Sequence, residues 1–180
     1  QNSRNNLVVY SSMDGGDNWQ QEVQATNYGF QNGFRYFSLL KDELDTVHFL
    51  FNKVEFGEIH SYRHMTTSDW GGSWSNDRAA SDTAQGILQV GASVWNAPGI
   101  TVSPSGTIYG SWADKRVDPS GLDYNVYLTR STDGGQTWLP DIQLNEMLPI
   151  DNQGFVSIAV KSDGINDTLA AVWTETRSFA

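Results

Sequence analysis

The 180-residue chain has no cysteine, which excludes disulfides, thiolate metal ligands and cysteine nucleophiles together. That absence fits a reducing compartment and equally an exported bacterial protein that folds without covalent staples. Positive charge is scarce: 11 Lys and Arg face 21 Asp and Glu, for a formal charge of −10. This balance argues against nucleic acid or an anionic membrane as the main partner, because both demand a basic footprint. A local basic pocket for an acidic ligand stays open, since net charge describes no single cleft. Apolar runs are short, with Leu169-Ala170-Ala171-Val172-Trp173 typical of the longest, so no membrane insertion is expected. The chain begins at Gln1 with neither an initiator Met nor a signal peptide, and it reads as processed, trimmed or part of something longer.

Helical periodicity is missing too; no capped amphipathic stretch stands out. What is present is β-rich. Hydrophobic residues make up 38% and charged residues 18%, the balance of a globular domain. Seven Trp, seven Tyr and eight Phe supply plates that can pack between layers of sheet. Short β-prone runs are predicted as strands at Leu7–Tyr10, Phe34–Leu40, Thr46–Asn52, Ile59–His64, Ile100–Val102, Thr107–Trp112, Asn125–Arg130, Phe155–Lys161 and Thr168–Thr174. Turn material such as Lys41-Asp42-Glu43 and Ser103-Pro104-Ser105-Gly106 separates them.

One pattern, [Ser/Thr]-x-Asp-x-Gly-x-x-Trp, occurs three times. Its fixed residues are Ser12, Asp14, Gly16 and Trp19, then Thr67, Asp69, Gly71 and Trp74, then Ser131, Asp133, Gly135 and Trp138. The aspartates lie 55 and 64 residues apart, about one supersecondary unit per copy, which announces a repeat architecture. Each copy follows a predicted strand and reads as a hairpin turn. The Asp accepts bonds from backbone N–H groups just after it. The Gly permits a positive φ, and the Trp opens the return strand.

These residues resemble the Asp-box, or bacterial neuraminidase repeat, of sialidase-like β-propellers. The likeness extends through Gly106–Arg116, Tyr127–Arg130 and the third box. The resemblance implies an all-β fold, a partial β-propeller of four-stranded antiparallel blades, with the box between the third and fourth strands of each. Carried onto this chain, it predicts a half blade at 1–27, blades at 28–96 and 97–150, and a half blade at 151–180. That makes about three blade equivalents of a ring expected to hold six, within the range in which propellers close. The remaining blades are expected from a longer chain or, second, from another copy.

In that family the boxes are structural, so replacing Asp133 is expected to cost stability rather than remove a reaction. The resemblance implies further parts for a sialidase: three arginines clamping a carboxylate, a Tyr–Glu nucleophile and an Asp acid. The Phe/Tyr-Arg-Ile-Pro motif carrying the first arginine has no full counterpart here; Phe34-Arg35-Tyr36-Phe37 shares its first two residues only. The loop Ala113–Asp123 offers Asp118 or Asp123 as the acid and Arg116 as ligand of a carboxylate or hydroxyl, against the plainer reading of a solvated Asp–Arg loop. Glu175 and Arg177 are placed near the propeller axis without a motif.

Other signals read as structural. His60 and His64, four apart without a Glu partner, are expected as surface or hairpin histidines. Asp163–Asp167 has oxygen ligands without the spacing of an EF-hand, and reads as a turn. Asn166-Asp167-Thr168 matches a glycosylation acceptor. No cofactor and no metal are expected. The function expected is a secreted or surface module, bacterial in source, that binds glycan or protein without catalysis in this segment. The alternative is a piece of a sialidase-like exo-glycoside hydrolase whose main catalytic residues lie elsewhere.

Overall fold

A computed structural model describes residues 6–26, 33–55, 59–82, 97–116, 124–146 and 152–176. Among them every regular element is a strand, as the sequence reading expects. The strands are β1 (Val8–Ser11), β2 (Gln20–Gln24), β3 (Gly33–Lys41), β4 (Val47–Glu55), β5 (Ile59–Thr67), β6 (Arg78–Ala79), β7 (Gly99–Val102), β8 (Ile108–Asp114), β9 (Asn125–Ser131), β10 (Ile142–Gln143), β11 (Asn152–Ser162) and β12 (Asp167–Thr176). They form antiparallel sheets in strict chain order: β1-β2, β3-β4-β5-β6, β7-β8-β9-β10 and β11-β12.

The sheets stack face to face in sequence. Leu7 joins Phe49, Phe51 and Met65, fastening the first sheet to the second. Leu50 and Tyr62 meet Trp112 and Tyr127 between the second and third, where the Tyr62 and Trp112 rings stack at 4.5 Å. Ala113 and Val126 meet Val156 between the third and fourth. The innermost strands also touch. Ser38 donates to the Pro98 carbonyl, and a Cβ at Gly99 would lie 2.8 Å from Ser111 Oγ in its own sheet and 3.2 Å from Val156 O in the last one. Sheets radiating from such a line of first strands are the blades of a partial β-propeller.

The repeated motif is the same turn three times. In the third copy, Ser131 Oγ donates to Asp133 Oδ1 (2.8 Å) and accepts from Gly135 N (2.9 Å). Asp133 Oδ1 then accepts from Thr137 N (2.9 Å) and Oδ2 from Thr137 Oγ1 (2.6 Å). Ser12, Asp14 and Asn18 repeat this, as do Thr67, Asp69 and Ser73. These bonds hold the Asp69 and Asp133 carboxyls down at about 2, and that of Asp14 lower still. The fifth-position glycines take φ of 105°, 101° and 87°, as expected. The seventh position, always a side-chain donor, is a part of the motif that the pattern had left as x. Because Ser131 is buried, Ser131→Ala strands the Gly135 N–H; urea denaturation should show a loss of about 1–3 kcal/mol.

All nine predicted strands exist. The short outer strands β2, β6 and β10 show no strand pattern of their own; the resemblance anticipated them as the fourth strands that follow the repeated turns. β6 and β10 are two residues each and largely exposed, too short to show hydrophobic alternation.

Candidate functional site

Each blade has two ends. The repeated turns and the turns after β3, β7 and β11 occupy one. At the other lie the starts of the first strands and the end of β8, where the sequence placed Arg116. Asp118, Asp123 and Arg177 fall outside the described residues.

Arg116 is held by three carboxylates. Its Nε lies 2.9 and 3.0 Å from the oxygens of Asp114, its Nη1 2.7 Å from Asp141 and 3.1 Å from Asp82. The guanidinium carbon lies over Tyr127, 3.8 Å from the ring centre. Asp114 also accepts from the Trp112 indole at 3.0 Å. Asp82 follows the last strand of one blade while Asp114 and Asp141 belong to the next, so the network ties two blades together. Asp82 and Asp141 bond each other reciprocally through their backbone N–H groups, at 3.2 and 3.4 Å.

Their carboxyls split the load. Burial, with Asp82 beside it, pushes Asp141 up to about 7 against the pull of Arg116. Burial also raises Asp82, but bonds from Asp141 and Arg116 outweigh it and hold that group below its ordinary value. The proton of the pair therefore resides on Asp141. A protonated carboxyl suggests a general acid, yet the Asp141 side chain is 0% exposed, so no substrate reaches it. Its Oδ1 and the Tyr127 hydroxyl are buried without a partner among the described residues.

Around this network the strand ends collect aromatics and strain. β3 bulges between Arg35 and Phe37, and β11 between Gly154 and Ser157. Inside the bulges Tyr36 and Phe155 adopt φ of 45° and 50°, a conformation costly for any residue with a side chain. Bulges re-aim side chains. Phe155 stands 61% exposed. Burial and the nearby Tyr36 push the Tyr124 phenol up to about 12, and Lys115 Nζ sits 4.3 Å over the Tyr124 ring. Glu175 lies opposite Gln153 at the same end of β12. Among the described residues no three of His, Asp and Glu gather as metal ligands.

At the opposite end the structure corrects the sequence reading of His64. It is buried, not a surface residue, with 1% of its area exposed. Its Nε2 lies 3.1 Å from His48 Nδ1, whose Nε2 in turn lies 3.1 Å from Asp42. The reason is that β5 is a third strand, covered on this face by the next blade. Trp138 meets the His64 ring edge-on at 5.3 Å. The His60 side chain lies outside the described ones.

No protein-family model and no curated protein matches the chain. Solved structures do. A Penicillium chrysogenum α-L-arabinanase complexed with arabinobiose matches with a TM-score of 0.63 and 12% identity, over 96% of this chain and 55% of that one. An α-L-arabinofuranosidase from Fusarium graminearum, in complex with an iminosugar inhibitor, gives 0.59 and 18%, over 93% and 48%. A Hadza microbial sialidase gives 0.60 and 16%, over 95% and 40%. The chain has the propeller fold of these glycoside hydrolases and spans about half their length.

Proposed function

We propose that this chain supplies blades to a secreted or surface β-propeller, bacterial in source, which recognises glycans and has no catalytic role in this segment. The repeated turns are read as Asp-boxes, with a scaffold role. Supporting the reading, the three named fold neighbours are enzymes of carbohydrate chemistry. The observation that carries it is the pair of strained bulges. They put Tyr36 and Phe155 at the same end of the first strands on either side of β7, with Tyr36 close to Tyr124 and Lys115 over the Tyr124 ring. Aromatic plates stack on the apolar faces of sugar rings, while charged side chains beside them bond hydroxyls. Wild type should bind defined oligosaccharides on an array. Tyr36→Ala and Phe155→Ala should each weaken binding about tenfold with the fold intact, as calorimetry would show. Absence of any glycan binding removes the proposal.

A second reading makes this chain part of an exo-glycoside hydrolase completed elsewhere, favoured by the same neighbours' being an arabinanase, an arabinofuranosidase and a sialidase. Fold alone does not carry activity across at such identities. Turnover of aryl arabinofuranosides or sialosides by the complete ring, lost on Arg116→Met, would favour it over pure binding.

A further inference from the structure

Among the described residues, four other than glycine take a positive φ: Tyr36, Asp45, Trp70 and Phe155. Asp45 is of a type that enters this region through local hydrogen bonding. The other three are aromatic. Tyr36 and Phe155 are the plates at the start of the first strands. Trp70 lies at the opposite end, in the second repeated turn, with φ of 55°.

The repeat shows what this residue displaces. At the fourth position of the turn the first copy holds Gly15 and the third holds Gly134, with φ of 78° and 72°. Glycine takes that conformation without strain, and tryptophan does not. Packing does not account for the exchange. A Cβ at Gly15 or Gly134 has nothing within 4 Å, although the third turn is pressed on His64 of the preceding blade at Gly135, one residue later. The fourth position therefore faces open space even where blades flank the turn, whatever lies beside the first sheet. Trp70 follows suit and stands 55% exposed. Strain kept for a displayed side chain signals a contact outside the fold.

Trp70 opens on a cleft of about 740 Å³, within the size range of small-ligand sites. Tyr10, Met13, Trp19 and Trp74 line it as well. Tyr10 and Trp19 are 54% and 63% exposed, so their rings are accessible as plates. Charge narrows the choice of ligand. The chain carries −10, yet no charged side chain among the described residues lines the cleft. Asp14 and Asp69, in the turns that flank it, have both oxygens engaged by Ser12 and Asn18 or by Thr67 and Ser73. They leave no free carboxylate for a cation, and their negative charge disfavours an anion. A neutral ligand with flat apolar faces matches such a surface.

We infer that Trp70, with Tyr10 and Trp19, forms a second glycan contact at the turn end of the blades, taking a neutral chain of β-linked hexopyranoses. Such a chain is a ribbon. Its ring faces carry C–H groups that stack on indole, while its hydroxyls project at the edges and stay in water, as an open cleft permits. This site is separate from the one at Tyr36 and Phe155, and it rests on the glycan reading for the class of ligand alone. Contacts at both ends let one molecule hold two strands of a polymer at once.

Trp70→Gly tests the inference cleanly, because it restores the residue of the other two turns. Its urea midpoint should equal or exceed that of the wild type. Calorimetry should show cellohexaose binding to the wild type, weakened about tenfold or more by Trp70→Gly and unchanged by Phe155→Ala. A lower midpoint for Trp70→Gly makes Trp70 a packing residue and overturns the inference. Absence of cellohexaose binding, or equal affinity in Trp70→Gly, overturns it too. An anilinonaphthalene dye that binds the wild type but not Trp70→Gly, and that cellohexaose does not displace, assigns the cleft to an apolar partner instead. Binding of array oligosaccharides that depends on Tyr36 and Phe155 is read apart from these, so this inference and the glycan reading fail separately.

Discussion

Gly135→Ala should lower stability by about 2–5 kcal/mol, while Gly134→Ala, one residue earlier, should cost only about 1–2 kcal/mol. Both glycines have positive φ, 72° at Gly134 and 87° at Gly135, so both variants bear the strain of a side chain in the left-handed region. Only one also meets an obstacle. A Cβ at Gly134 has nothing within 4 Å, whereas at Gly135 it would stand 2.3 Å from His64 Cε1 and Nδ1. That imidazole cannot step aside freely, being buried, bonded to His48 and edge-on to Trp138. Relieving the overlap means parting the third turn from the preceding blade. Against a total stability of about 5–15 kcal/mol, this is a large share. Paired urea midpoints measure it, and equal losses at the two positions would show that the contact with His64 carries nothing.

This contact also marks where sequence stops being legible. The glycine was readable as a turn residue, because its local role repeats three times beside an Asp and a Trp. Its second role, making room for a histidine 71 residues earlier in the chain, leaves no local trace. The same holds at Arg116. Its loop placed it among acidic residues, and Asp114 is indeed a partner. Asp82 and Asp141 come from elsewhere in the chain, and only stacking of blades brings them near. The strained bulges at Tyr36 and Phe155 were invisible for another reason: a bulge shows in the ladder between two strands, and periodicity within one strand blurs over it. Strands with an inward face were legible, since one row of apolar residues must be covered. Outer strands of two residues carry too few positions to show a pattern.

Acidification should move stability in opposite directions in two variants, because two buried groups at blade contacts are poised with opposite signs. Burial first, and His48 second, depress His64 from 6.5 to about 3. The unfolded chain thus takes up this proton near pH 6.5 while the folded one refuses it. Stability from His64 is intact above 6.5 and falls as pH drops toward 3. Asp141 works the other way. Raised from 3.8 to about 7, it binds its proton in the folded state across a range in which the unfolded carboxyl stays ionised. Its contribution is complete below 3.8 and is lost as pH rises through 7. Each unmatched proton is worth about 1.4 kcal/mol per pH unit, so between pH 6.5 and 5 the two slopes nearly cancel in the wild type. Asp141→Asn leaves His64 alone, and the chain should lose about 2 kcal/mol between pH 6.5 and 5. His64→Phe leaves Asp141 alone, and the chain, though weaker at neutral pH, should gain stability over the same interval. Asp42, the other ionisable group bonded into the histidine pair, is held below its ordinary carboxylate value and stays charged throughout this window. Urea midpoints at pH 6.5 and 5 read both slopes, and parallel slopes in the two variants would refute the assignment.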